Sequence, residues 1–152
     1  MAYKSVNRKT TYADAIADGY GAIEELASEM REAYDNMTGA GMSDSHPKVE
    51  AYSTAADELE RAQAPDIPSE LEELLSKEVE VSELVNRDKR RGNARHVRLS
   101  NACSLIEAAK SHLEDLPEGA SEDETDAAEQ LASELDEAVS LDGAVEFPGM
   151  YG

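Results

Sequence analysis

The chain has 152 residues and a formal net charge of −20, with 34 Asp and Glu against 14 Lys and Arg. This length is typical of one domain, so we predict a single domain over residues 1–152, and the lone cysteine excludes an intramolecular disulfide. No run approaches about 18 apolar residues, and no apolar run follows Lys4, Arg8 and Lys9, so the sequence predicts neither a membrane span nor a secretory signal. We expect the protein in the cytoplasm or in a particle assembled there.

The basic residues are concentrated in two segments. Residues 1–10 carry a net charge of +3 and residues 86–98 carry +5, which accounts for 9 of the 14 bases. The remainder holds 5 bases against 33 acids. A strongly negative field repels nucleic acids and membranes. Two explanations of the acidic surface stay open: solvation, as in proteins adapted to high salt, and a functional acidic surface.

The first predicted helix covers about residues 12–37, with Thr11 as its N-cap. Its apolar or small side chains recur at alternating steps of four and three residues, which is a heptad seam for packing along another helix. The seam consists of Ile16, Tyr20, Ile23, Ala27, Met30, Tyr34 and Met37. The partner helix belongs either to the same chain or to a second copy, so self-association is one alternative.

A second helix is predicted from about Ser45, with Pro47 in its first turn. The prolines of residues 64–68 exclude helix and predict a short connector. Ser69 with Glu72 forms a capping box that starts a third helix.

Residues 78–86 fit two patterns. Val79, Val81 and Val85 alternate as in a strand, whereas Val81, Leu84 and Val85 also fit a helix. We favour helix through about Arg90, because a lone strand needs a partner and the chain offers only a weak one at residues 145–147.

Asn93 is predicted to cap a fourth helix, and Ser121 with Glu124 to open a fifth. The tail, residues 142–152, carries Phe147, Met150 and Tyr151, which we expect to dock on the protein's own helices or on a partner. The predicted fold is therefore all-α, with about five helices in a single compact bundle, a basic arm (residues 1–11) and an apolar tail.

The basic loop between the third and fourth helices is the sharpest feature. Its later cations fall in the first turns of a helix, where positive charge is unfavourable unless an anion lies nearby. We predict that this loop binds an anion or an acidic partner, through Arg87, Lys89, Arg90, Arg91, Asn93, Arg95, His96 and Arg98. The alternative is that the chain's own carboxylates supply the anions. The negative surroundings and the absence of interleaved aromatic residues argue against sequence-specific nucleic-acid binding.

Enzymatic interpretations are weak, and we predict no catalytic residue, no metal and no cofactor. His46, His96 and His112 are scattered, and Cys103 lies on an apolar helical stripe. The carboxylates of the first helix superficially resemble magnesium ligands of all-α nucleoside-triphosphate pyrophosphohydrolases, but a second set on another helix is missing. They are Glu25, Glu29, Glu32 and Asp35. A metal-dependent nucleotide hydrolase is the last-ranked alternative.

Two short motifs, REAYDNM (residues 31–37) and RRGNARHVRLSNA (residues 90–102), resemble small acidic helical proteins of unknown function encoded by tailed viruses of prokaryotes. The similarity covers roughly residues 20–116. It implies a viral accessory or virion-associated protein, located in the host cytoplasm or the virion, that acts non-enzymatically on a host or virion protein. The alternative is an acidic inhibitor that imitates nucleic acid and blocks a host DNA-binding or defence enzyme.

Overall fold

The computed structural model describes residues 2–148. In chain order its elements are β1 (Tyr3–Thr11), α1 (Tyr12–Gly39), α2 (Pro47–Glu60), a 3-10 turn (Ser69–Leu71), α3 (Glu72–Leu75), β2 (Glu78–Asn86), α4 (Arg95–Glu114) and α5 (Glu122–Val139). The all-α prediction is therefore wrong, because a two-stranded antiparallel sheet joins the five α-helices of the described residues.

The two longest helices form the centre of the molecule. α1 packs against both α2 and α4, and α4 packs in turn against α5 and β2. Of the seam residues, Ile16, Tyr20, Ile23, Ala27 and Met30 are buried, while Tyr34 and Met37 are half-buried at the margin of the core. Leu26 is also fully buried, so the stripe is wider than a heptad seam, as a helix with two neighbours requires. No helix in residues 2–148 is both long and apolar enough to cross a bilayer.

A glycine sets the close approach of α1 to α4. A Cβ at Gly19 would lie 2.6 Å from Cγ1 of Ile106 and 2.9 Å from the carbonyl oxygen of Ala102. Such distances are shorter than van der Waals contact, so any side chain at this position would force the two helices apart.

The helix starts show where the predicted caps hold. The Thr11 hydroxyl accepts a hydrogen bond from the Asp14 amide at 3.1 Å, and Ser121 does the same for Glu124 at 3.1 Å. The predicted cap at Asn93 is wrong. The N-cap of α4 is Ala94, which has no side chain that could cap the helix. Asn93, one residue earlier, bonds to the backbone of β2 instead.

The prediction of helix through residue 90 is also wrong. Residues 78–86 form β2, which pairs antiparallel with β1 from Tyr3 opposite Asn86 to Thr11 opposite Glu78. Val81 faces inward and is buried with Ala15 and Leu105. The strand's partner is thus the segment predicted to be a basic arm. Local patterns do not reveal this pairing, because 66 residues (12–77) lie between the two strands.

The tail packs on the helices as far as the structure describes it. Val145 is buried and Phe147 is half-buried against the main core. Met150 and Tyr151, also predicted to dock, lie outside the described residues.

Candidate functional site

The β1–β2 pairing brings the two basic segments of the sequence together. The Arg87 amide donates to the carbonyl oxygen of Ala2 at 2.7 Å, and the Ala94 amide donates to the Tyr3 hydroxyl at 2.8 Å. The start of β1 is therefore fixed against the loop that follows β2. We call the resulting surface the basic end, and it consists of Lys4, Arg87, Lys89, Arg90 and Arg91.

Two asparagines hold the loop of the basic end in place. Asn86 accepts from the Asp88 amide at 2.9 Å and donates to the Gly92 carbonyl at 2.7 Å, and Gly92 has a positive φ of 65° that suits glycine. Asn93 accepts from the Asn86 amide at 2.8 Å and donates to the Leu84 carbonyl at 3.0 Å. Asn93, predicted as a binding residue, is thus a positioning residue for the loop.

A third asparagine, which sequence reasoning missed, closes the edge of β2. The side chain of Asn101 on α4 accepts from the Leu84 amide at 2.9 Å and donates to the Leu84 carbonyl at 2.8 Å. It thereby imitates a neighbouring strand. Its only sequence signal is an amide side chain inside a helix, where asparagine is unfavourable unless it has a specific partner.

Two of the predicted cations are neutralised within the chain. Arg98 donates to Glu29 through both terminal nitrogens, one at 2.9 Å, and lies 3.6 Å from Glu25. Nε of Arg95 lies 3.3 Å from the same Glu29 carboxylate. The hydrogen bond from Arg98 is the main reason that the pKa of Glu29 is lowered. The anions expected at the start of α4 are therefore the protein's own carboxylates.

The cations of the basic end, in contrast to Arg95 and Arg98, are exposed to solvent and have few carboxylate partners. Lys4, Arg87, Lys89 and Arg90 are exposed, and none forms a salt bridge with any residue between 2 and 148. Nε of Arg91 lies 3.6 Å from Asp88, with 82% of the arginine side chain exposed. Pairs of this kind contribute little. His96 is likewise exposed, on the first turn of α4. The basic end thus keeps a net positive charge available to another molecule.

Elsewhere, several of the scattered bases are engaged by acids. Arg31 bonds to Asp57 at 2.7 Å and to Glu60, and Lys110 lies 3.0 Å from Asp136. Exposed acids cover α1, α2, α3 and α5. The molecule is therefore asymmetric in charge, with a small positive end on a broadly negative body.

The residues considered for catalysis are buried, stacked on another ring or engaged in helix capping. Burial raises the pKa of the Cys103 thiol to about 12. The ring of His112 stacks on Tyr12 with centroids 3.9 Å apart, and His46 caps α2 by accepting from the Lys48 amide. Among residues 2–148 no three His, Cys, Asp or Glu side chains are grouped so as to hold a metal ion.

Comparison with known proteins returns no relative. No family model, no curated protein and no solved structure matches the chain.

Proposed function

We propose that the protein is a non-enzymatic binding protein that docks on an acidic surface of a partner protein through its basic end. One observation carries the proposal. Strand pairing gathers cations from two distant segments, and these cations are solvated, whereas Arg95 and Arg98 are paired with Glu29. On the resemblance of the two short motifs, we further propose that it is a viral accessory or virion-associated protein whose partner is a host or virion protein.

A protein is the favoured partner for electrostatic reasons. Nucleic acid presents a long row of phosphates, which the acidic helices would repel over most of their length. A protein can present a local acidic patch that meets only the basic end. Self-association through the α1 seam finds no support, because Ile16, Ile23 and Met30 are buried against the chain's own helices.

The two alternatives receive no specific support. An inhibitor that imitates nucleic acid needs carboxylates concentrated on one face, whereas exposed acids are spread over four helices. A nucleotide hydrolase needs the α1 carboxylates free for a metal, whereas Glu29 is bonded to two arginines.

The test separates the position of the charge from its amount. One variant carries Arg87→Glu, Lys89→Glu and Arg90→Glu. The control carries Lys48→Glu, Arg61→Glu and Lys77→Glu, which changes the net charge equally at exposed residues for which no salt bridge is formed in the described chain. Both are used, beside the wild type, to capture proteins from a host lysate at low and high salt, with quantification by mass spectrometry.

We expect a specific partner that is retained by the wild type and the control, lost from the basic-end variant, and weakened by salt. A partner retained equally by all three proteins would refute docking through the basic end. Loss from both variants would attribute binding to net charge alone and would also refute it.

A further inference from the structure

The outer edge of β1 has backbone groups that nothing in residues 2–148 satisfies. Asn101 bonds both the amide and the carbonyl of Leu84, so these two groups point away from β1. In an antiparallel pair, directly opposed residues either bond each other or both face outward. Leu84 lies opposite Ser5, so the backbone groups of Ser5 face outward as well.

The alternation extends along the strand. At one end of the sheet the Arg87 amide donates to the Ala2 carbonyl, and at the other end the Tyr12 amide donates to the Lys77 carbonyl. The even-numbered residues of β1 therefore direct their backbone groups inward, toward β2. Ser5, Asn7 and Lys9 therefore present their amides and carbonyls outward, and none of these six groups forms a hydrogen bond within the described chain. All three residues are exposed. β1 is thus an open edge strand.

A second copy of the chain is a poor occupant of this edge. Its β2 is closed on the outer side by Asn93 and Asn101, so it cannot pair there. Its β1 would bring a second Lys4, Arg8 and Lys9 to this edge, where Arg8 and Lys9 have carboxylate partners but Lys4 has none within the described chain. Adding positive charge to a basic edge is unfavourable.

Charge complementarity indicates what does fit. On its inner side β1 pairs with an acidic strand: Lys9 lies 4.0 Å from Glu80, and Arg8, which also bonds to Asp18 on α1, lies 3.9 Å from Glu83. We propose that an extended acidic segment of a partner protein adds to the outer edge of β1 as a third strand, beside the basic end. The proposal rests on the proposed function and names the mode of binding, in which main-chain hydrogen bonds give affinity and the cations select the sequence.

The probe is a labelled peptide with the sequence of β2, EVEVSELVN (residues 78–86), and the control peptide has its three glutamates replaced by lysine. Amide hydrogen exchange is followed by NMR. In the free protein, we expect slow exchange at Val6 and Arg8 and fast exchange at Ser5, Asn7 and Lys9. The acidic peptide should slow exchange at these last three residues, and the lysine peptide should not. A concentration series that never protects them overturns the proposal.

A matched pair of variants tests the backbone bonds. Asn7→Pro removes an outward amide and leaves the β1–β2 ladder intact, since proline is tolerated on an edge strand. Asn7→Ala removes the same side chain and keeps the amide. We expect peptide affinity to fall about tenfold or more in the proline variant and to stay unchanged in the alanine variant. Equal affinity of the two variants overturns strand addition.

Exchange at Val6 and Arg8 verifies that the proline variant still folds. If the proline variant does not fold, two forms of the β2 peptide are used instead, one methylated at the odd-numbered and the other at the even-numbered backbone nitrogens. Methylation removes the hydrogen-bond donors along one edge of the peptide, so unchanged binding of both forms overturns the proposal. A captured partner that depends on the basic end but binds the proline and alanine variants equally would overturn the third strand alone. A partner indifferent to the basic-end variant would overturn the proposed function instead.

Discussion

The contact between Glu29 and the two arginines of α4 makes a quantitative prediction. Glu29→Gln keeps the size of the side chain and removes its charge. Arg98, with 27% of its side chain exposed, then loses the nearer of its two carboxylate partners, and Arg95, with 34% exposed, also loses a charged partner. The variant should be less stable than the wild type at neutral pH.

The magnitude follows from the geometry. Hydrogen bonds to charged groups contribute about 1.5–3 kcal/mol when well formed. Glu29 itself is 30% exposed, and Glu25 lies 3.6 Å from Arg98, so solvent and a second carboxylate offset part of the loss. We expect the free energy of unfolding to fall by about 1–2 kcal/mol, which corresponds to roughly 3–6 °C in Tm for a domain of this size.

The pH dependence supplies an independent check. The pKa of Glu29 is lowered in the folded protein, so its stabilisation is complete above the unfolded-state value of about 4.3 and is lost as pH falls through the folded-state value. Urea denaturation followed by circular dichroism, from neutral pH downward at constant ionic strength, should show the difference between wild type and variant narrowing only in that acidic window.

The control is Glu32→Gln, which removes an exposed charge on α1 for which no salt bridge is formed in the described chain. It should change stability by about 0.5 kcal/mol at most. If Glu29→Gln and Glu32→Gln behave alike at every pH, the internal neutralisation of Arg95 and Arg98 is refuted, and those arginines return to the set of cations available to a partner.

Three further predictions concern packing. Gly19→Ala should destabilise the protein by about 1–3 kcal/mol, because the added methyl group would lie 2.6 Å from Ile106 on α4. Gly21→Ala, with open space around it, should stabilise α1 by about 0.5–1 kcal/mol. Equal urea midpoints for the two variants would contradict the close approach of α1 to α4. Asn101→Ala should cost about 1–3 kcal/mol and speed exchange of the Leu84 amide; an unchanged exchange rate would show that another group covers it. The Cys103 thiol, whose pKa burial raises to about 12, should react with a disulfide reagent only as urea unfolds the protein; rapid reaction in buffer would disprove its burial.

Local signals predicted the starts of three of the five helices, whereas the third helix, predicted from Ser69 to about Arg90, is only a 3-10 turn and the four-residue α3. α1, α2 and α5 begin within two residues of their predicted starts, because capping side chains and the first-turn proline act over a few residues of sequence. The seam of α1 was recognised for the same reason. Its close neighbour Gly19 was missed, since nothing local distinguishes a glycine that permits contact from one that faces solvent, as Gly21 does.

Non-local pairing explains what the sequence did not reveal. The valine alternation in residues 78–86 fits a strand, but no partner strand is evident from the sequence, because β1 contains a single aliphatic residue, Val6. The same lack of a local signal separates the basic arm from the basic loop, which the sheet joins into one surface. Similarly, the pairing of Arg98 with Glu29 depends on the packing of α4 against α1 and has no signature in either segment alone.

The polar character of β1 has a consequence for biosynthesis. During translation this strand leaves the ribosome long before β2 exists, so it must wait without its neighbour while α1 and α2 are made. An unpaired hydrophobic strand in that position would be prone to aggregation. Apart from Tyr3 and Val6, β1 consists of Lys, Arg, Ser, Asn and Thr. Such a segment stays hydrated during the delay, and it docks once the later strand has emerged.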